Sequence, residues 1–306
     1  MKQQVIRANL LLLLTAAIWG FAFVAQRVGA RYVGSFTFNG IRFALGAFSL
    51  LPLLIFSLKR NSEPIHDESG QKKSPVLLGG IIAGCVLFAG ASLQQIGLVH
   101  SSAGKAAFIT GLYIVLVPIL GIFLKHRTHL TIWFGVVLAT IGLYLLSVTE
   151  NFTITLSDFL ELLGAFFWAA HILVIDHYTK KVHALKLCIV QFLTCSLLSM
   201  SAAFAFEKIT LAGLEMALIP ILYGGICSVG IAYTLQVFGQ KHAKPSHAAI
   251  IMSMESVFAS LGGLWILHEN LGIRGYLGCL LMLSGMLITQ LPNILPNNTN
   301  ARISTN

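Results

Sequence analysis

The chain of 306 residues is 56% hydrophobic and only 10% charged, against about 25% charged residues in an ordinary soluble domain, which excludes a water-solvated globule. Its formal charge of +9 would suit a nucleic-acid binder, but the positive residues other than Arg42 sit outside the apolar runs, so the charge reports membrane orientation and not a nucleic-acid partner. The five cysteines, Cys85, Cys188, Cys195, Cys227 and Cys279, all fall inside apolar runs with no pair at metal-ligand spacing, and are expected to pack.

In chain order the apolar runs are 8–26, 36–58, 76–99, 106–124 and 132–148, then 159–175, 187–206, 217–238, 248–267 and 275–291. Each can cross a hydrocarbon core of roughly 30 Å. Backbone polar groups in lipid must bond within their own segment, and runs this long and uniform are helices, not barrel strands. The expected fold class is an all-α polytopic membrane protein with ten transmembrane helices. Lys2 and Arg7 precede the first run as in a signal peptide, but its length and the nine runs that follow mark it as a retained helix. The longest connection, 59–75, carries charges of both signs, and the tail 293–306, rich in Asn, Thr and Ser, is expected to be disordered.

Connections fall alternately on the two membrane faces. One face receives Lys2, Arg7, Lys59, Arg60, Lys72 and Lys73, together with Lys125, Arg127, Lys180, Lys181, Lys186, Lys241, Lys244 and Arg302. The other keeps Arg27, Arg31, Lys105, Lys208 and Arg274. The excess marks the cytoplasmic side, so both termini are expected inside.

The chain also repeats itself. Leu93, Gln94, Gly97, His100, Ala106 and Ala107 recur at the same spacing as Leu235, Gln236, Gly239, His242, Ala248 and Ala249. Trp19 matches Trp168, Arg42-Phe43 matches Gln191-Phe192, and Gly135 and Gly142 match Gly278 and Gly285. The unit is five helices, 1–149 and 150–292, and an odd number inverts one copy relative to the other. Duplication with antiparallel halves is a common build of alternating-access transporters, whose sites lie near the midplane where the halves meet. A duplicated bundle with no transport role is the plainer alternative.

The Trp-Gly of the first run, Arg42 near the start of the second, AGKAAFITGLYIVLVPILG from Ala103, GAFFWAAHILVIDHY from Gly164 and SHAAIIMSMESVFASLGGLWILHENLGIRGYLGCLLMLSGMLI from Ser246 resemble the EamA family of the drug/metabolite transporter superfamily. The resemblance covers essentially the whole chain. It implies ten helices, termini inside, a bacterial inner-membrane exporter or permease, and a central cavity. Many relatives have Glu-Pro where this chain has Glu255-Ser256, so a weaker helix break is expected in the ninth run. The family's substrates are diverse, and the resemblance names no solute.

Polar groups inside lipid spans are costly and face a cavity or a partner; hydrogen bonding between helices is the competing account. Glu255, near the middle of its run, is a candidate proton carrier or a locally paired carboxylate. Arg42 keeps its charge and must meet water, an acid or an anionic solute. His171 lies one turn beyond Trp168 on the same helical face. The repeat-related Gln94 and Gln236 either line the cavity or pack symmetrically, while Trp19 and Trp168 stack on a solute or on the core. Gln191, Tyr113 and Thr110 complete the substrate-path candidates. For movement and close packing, Pro118 is expected to interrupt the fourth run, accompanied by Gly111, and Gly20, Gly80 and Gly84 lie in small-residue pairs.

His268-Glu269 begins a zinc-protease motif, but Gly272 stands where the second His belongs. There is no P-loop, so neither ATP nor any other cofactor is expected. The expected function is an inner-membrane permease for a small metabolite or drug-like solute, coupled to protons or another gradient. An uncoupled facilitator or exchanger, an intramembrane lipid-modifying enzyme and a membrane scaffold or sensor are the alternatives. The expected partners are the solute and membrane lipid, with monomer and homodimer both open.

Overall fold

A computed structural model describes residues 2–60, 75–101, 103–125, 130–147, 155–266 and 272–294. Among these residues every regular element is helical. Most of the 59–75 connection, the tail beyond 294 and the His268-Glu269 pair lie outside them.

The first half runs through α1 (Lys2–Gly29), α2 (Ser35–Arg60), α3 (Pro75–Leu98), α4 (Ala103–Gly111), α5 (Tyr113–Phe123) and α6 (Leu130–Ser147). The second has α7 (Leu156–Thr179) and α8 (Ala184–Phe206), then short α9 (Leu211–Met216) and α10 (Leu218–Leu222) leading into a π-helical segment, Tyr223–Tyr233, and α11 (Thr234–Gln240). It ends with α12 (Pro245–Met252), α13 (Glu255–Ile266) and α14 (Gly272–Ile294). Nine helical crossings among the described residues have the length and hydropathy to cross a membrane, and Leu130–Leu145 is a shorter apolar tenth. Large apolar side chains such as Phe56, Phe134, Leu197 and Ile273 face outward, which water would oppose and hydrocarbon accepts.

Two crossings are broken at repeat-related points. The fourth breaks at Leu112, upstream of Pro118, which sits inside α5. The ninth breaks at Ser253-Met254 although no proline is present. Both breaks are tightened turns: Leu112 N–H donates to Ile109 O and Val115 N–H to Leu112 O, as Met254 N–H does to Ile251 O and Ser256 N–H to Ser253 O. The expectations of a break at Pro118 and of a weakened ninth break are therefore corrected. Serine hydroxyls act at the ninth break: Ser253 Oγ donates to Ile250 O at 2.9 Å, competing with the helix's own ladder, and Ser256 Oγ donates to Ala107 O at 2.9 Å, tying the break to α4.

The packing recurs with the halves exchanged. α3 lies along α7 as α1 lies along the eighth crossing, α2 packs on α8, and α6 packs on α14. Glycines permit these approaches. A Cβ at Gly84 would stand 2.5 Å from Thr194 Cβ, and one at Gly80 would overlap Val190, which seats α3 on α8. A Cβ at Gly142 would lie 2.6 Å from Gly278 O, and one at Gly285 2.7 Å from Gly135 O. α6 and α14 thus cross backbone to backbone at the periphery. Gly142→Leu is expected to cost about 1–3 kcal/mol by overpacking, read as a lowered melting temperature in detergent, whereas Val137→Leu on the exposed side of α6 should melt unchanged. Equal melting of the two variants would contradict the close crossing.

Candidate functional site

The bundle encloses a cavity of about 40 Å³ between the halves. α1 and α7 contribute repeat-related pairs, Trp19 with Trp168 and Phe23 with Ile172. The broken fourth and ninth crossings contribute Thr110, Tyr113 and Glu255, the last two opening the helices that follow the breaks. Arg42 comes from α2, and Gln94 and Gln236 from α3 and α11.

Arg42 is buried at 2% exposure. Its Nε donates to Asn39 Oδ1 at 3.0 Å, and Asn39 Nδ2 in turn donates to Ala91 O at 3.0 Å, fixing the guanidinium's direction. The charge lies over Phe38 and Phe43, 5.6 and 4.9 Å from their ring centres, a cation–π environment that partly replaces lost water. No carboxylate among the described residues forms an ion pair with it. The π-helical segment makes this seat possible, because Gly225 lets α2 approach: a Cβ there would stand 2.6 Å from Leu45 Cβ.

The same segment turns Ser228 and Tyr233 together toward the cavity. On an α-helix residues five apart point about 140° from each other; in the i→i+5 geometry they stack on one face. Tyr233 is the hub of the aromatic lining, with ring centres 4.7 Å from Trp19, 6.2 Å from Trp168 and 5.9 Å from Phe43. Trp19 Nε1 donates to Ser228 O at 3.2 Å.

Glu255 is 3% exposed, and its Oε1 has no hydrogen-bond partner. Tyr113 lies within its electrostatic reach. Tyr233 is within electrostatic reach of both Arg42 and Glu255, and all three line the cavity. The cavity therefore holds a cationic and an acidic group together with a phenol that feels both. Gly20 belongs to this arrangement: a Cβ on it would stand 2.7 Å from Glu255 O, so α1 can abut the break only as glycine.

Glutamines close the cavity at both ends. Gln94 Nε2 donates to Gln26 Oε1 at 3.3 Å and Gln95 Nε2 to Gln26 O at 3.1 Å, joining α3 to α1. At the other end Gln240 Nε2 donates to Ile172 O at 3.0 Å, joining α11 to α7. These helix pairs are repeat-related.

Of the substrate-path candidates, Trp19, Arg42, Gln94, Tyr113, Trp168, Gln236 and Glu255 meet at one cavity, with Thr110. His171 and Gln191 do not line it. They bond each other at 2.9 Å behind Trp168 and Tyr233, and no residue of α8 is among those that line the cavity. Gly111 sits beside Ser256 and Leu143 at the break. Sequence reasoning missed Asn39, Gln26, Ser228 and Tyr233. Asn39 stands three residues before Arg42 at helical spacing and was findable; Gln26 was taken for the end of its helix, which continues one turn to Gly29. Ser228 and Tyr233 needed the π geometry, for which no sequence signal exists.

A family model described as the EamA-like transporter family matches residues 6–148 and again 155–291. An uncharacterised transporter of Archaeoglobus fulgidus is 31% identical over 291 residues, covering 93% of this chain and 86% of that protein. The uncharacterised transporter YoaV of Bacillus subtilis is 21% identical over 277 residues, 89% of this chain and 92% of that one. A solved crystal structure, described only as that of a protein, superposes with a TM-score of 0.75 at 17% identity, covering 94% of this chain and 97% of that chain. That last likeness is one of fold.

Proposed function

The chain belongs to the EamA-like transporter family and is a multi-pass membrane transporter, and from that premise we propose that it carries a small zwitterionic solute of amino-acid type across the bacterial inner membrane by alternating access. The observation that carries this reading is the presence of Arg42 and Glu255, with no ion pair between them among the described residues, in one aromatic cavity. A solute carboxylate meets the guanidinium, whose fork suits it. An ammonium meets Glu255, and the remainder of the solute lies among Trp19, Trp168 and Tyr233.

The cavity supports a mechanism as well as a site. Sites for drug-sized ligands run to about 300–1,000 Å³, far above the 40 Å³ enclosed here. Solute entry therefore requires the helices to part. In our reading the halves 1–149 and 150–292 rock about the cavity, breaking the Gln26 bonds to open one side and the Gln240 bond to open the other, with both termini in the cytoplasm. The exchange-symmetric packing and the paired helix breaks favour this reading. Glu255 carries the coupling proton, and an uncoupled facilitator would lack accumulation driven by a pH gradient alone.

The test is flux into proteoliposomes. Amino acids, an N-acetyl amino acid, an amino-acid methyl ester, a polyamine and a nucleoside are offered as labelled solutes. Saturable uptake of an amino acid, strongly reduced by blocking either its amine or its carboxyl, is expected. Uptake of only the neutral or singly charged compounds would overturn the zwitterion assignment, and recovery of a chemically altered solute would point to an enzyme.

A further inference from the structure

A second hollow, of about 530 Å³, lies at one end of the bundle where α7 and α11 finish. Lys125 follows α5, Lys180 follows α7, and Lys241 and Lys244 occupy the turn into α12; all four wall the hollow. Its acid, Asp176, is already engaged by Lys180 at 2.8 Å. No carboxylate among the described residues pairs with Lys125, Lys241 or Lys244. Like charges gathered around a concave surface repel one another and focus a positive potential into it.

Membrane orientation explains lysines at this end of the bundle, but not their convergence from three separate elements on one hollow. Lys125 adds a conformational argument. Its φ of 59° is left-handed, a state that ordinarily falls to glycine after a helix end and costs other residues roughly 1–2 kcal/mol. A lysine held there at that cost lines the hollow. Nearby, His183 is pushed below the usual imidazole range by burial and then by the ammonium groups of Lys186 and Lys241, so the positive field is felt beyond the lysines themselves. α12 begins at Pro245 with no side-chain cap, and the positive end of its dipole faces the same space.

We propose that this hollow is a binding site for a phosphate-bearing anion, supplied either as a soluble phosphate compound or as the headgroup of an anionic lipid. Several ammonium groups converging on one anion suit the oxygens of a phosphate, each lysine contributing as a point charge. No described residue lines both the hollow and the central cavity, so the site is distinct from the solute's and the proposal stands apart from the solute assignment.

The test uses the full-length protein and two charge-matched variants. Lys241→Gln/Lys244→Gln empties the hollow of two charges; Lys208→Gln/Arg274→Gln removes two exposed charges elsewhere. All four positions are exposed, and unchanged melting confirms folding. In detergent at low salt, inorganic pyrophosphate is titrated calorimetrically. In nanodiscs of phosphatidylglycerol and phosphatidylcholine, native mass spectrometry reads the lipid retained. Saturable pyrophosphate binding that the first variant weakens on the order of tenfold, and the second leaves intact, assigns a soluble ligand. Phosphatidylglycerol retained by the wild type and the second variant but lost from the first assigns the headgroup. Absence of both, or equal loss in both variants, overturns the site and leaves the lysines to membrane orientation alone.

Discussion

Arg42→Ala is expected to weaken binding of a carboxylate-bearing solute on the order of 100-fold, since truncating one partner of a buried charged contact costs about 2–5 kcal/mol and each 1.4 kcal/mol is tenfold. Arg42 is the one Lys or Arg among the lining residues, and no neighbour replaces it. Arg42→Lys keeps the charge but forfeits the planar fork and the Asn39 bond at 3.0 Å, so an intermediate loss is expected. Ligand-induced thermal shift reads the series, because a ligand bound only to the folded state raises melting by mass action. Equal ligand shifts in wild type and Arg42→Ala would confine Arg42 to its contacts with Asn39, Phe38 and Phe43.

Glu255→Gln, nearly identical in shape, is expected to abolish accumulation driven by a pH gradient while counterflow of solute down its own gradient persists with a weakened apparent affinity, because the ammonium loses its charged partner. The substitution removes the exchangeable proton but leaves the helix break and its serine bonds in place. An intramembrane carboxyl whose Oε1 has no hydrogen-bond partner is poised either to bind a cation or to gain and lose a proton. Paired uptake and counterflow measurements in the same vesicles separate the two losses. Undiminished pH-driven accumulation in the variant would remove Glu255 from coupling; loss of counterflow as well would mark it as indispensable for solute passage itself.

Much of the architecture was legible because lipid imposes it on composition. Runs of apolar residues in a medium without water have to be helices, and observed ends extend the expected ones by only a few residues, as where 8–26 becomes Lys2–Gly29 and 187–206 becomes Ala184–Phe206. The glycines at 135, 142, 278 and 285 were legible only as repeat partners; that they let the backbones of α6 and α14 approach is shown by the structure. Polar residues stranded in apolar runs announced themselves by their cost, and Trp19, Arg42, Gln94, Tyr113, Trp168, Gln236 and Glu255 come to one cavity.

What escaped the sequence depended on partners distant along the chain. His171 and Gln191 looked like path residues by the same rule, yet they bond each other and line no part of the cavity, with His171 Nδ1 and Gln191 Nε2 left without a hydrogen-bond partner among the described residues; a polar side chain cannot disclose from its own position whether its partner is a solute or a neighbouring helix. The fourth crossing breaks at Leu112 and not at Pro118, and the ninth at Ser253-Met254 without proline, because hydroxyl and tight-turn bonds between and within helices settle where a ladder yields. By itself, then, the sequence determined a helical membrane protein of duplicated pattern and the chemical types available within its spans, because periodicity and hydropathy are local. Only the tertiary structure decided which of those groups share a cavity, that Tyr233 joins Arg42 and Glu255 there, and that a π-helical turn puts it there, because these depend on helix register and on contacts between segments some 200 residues apart, such as Trp19 with Ser228.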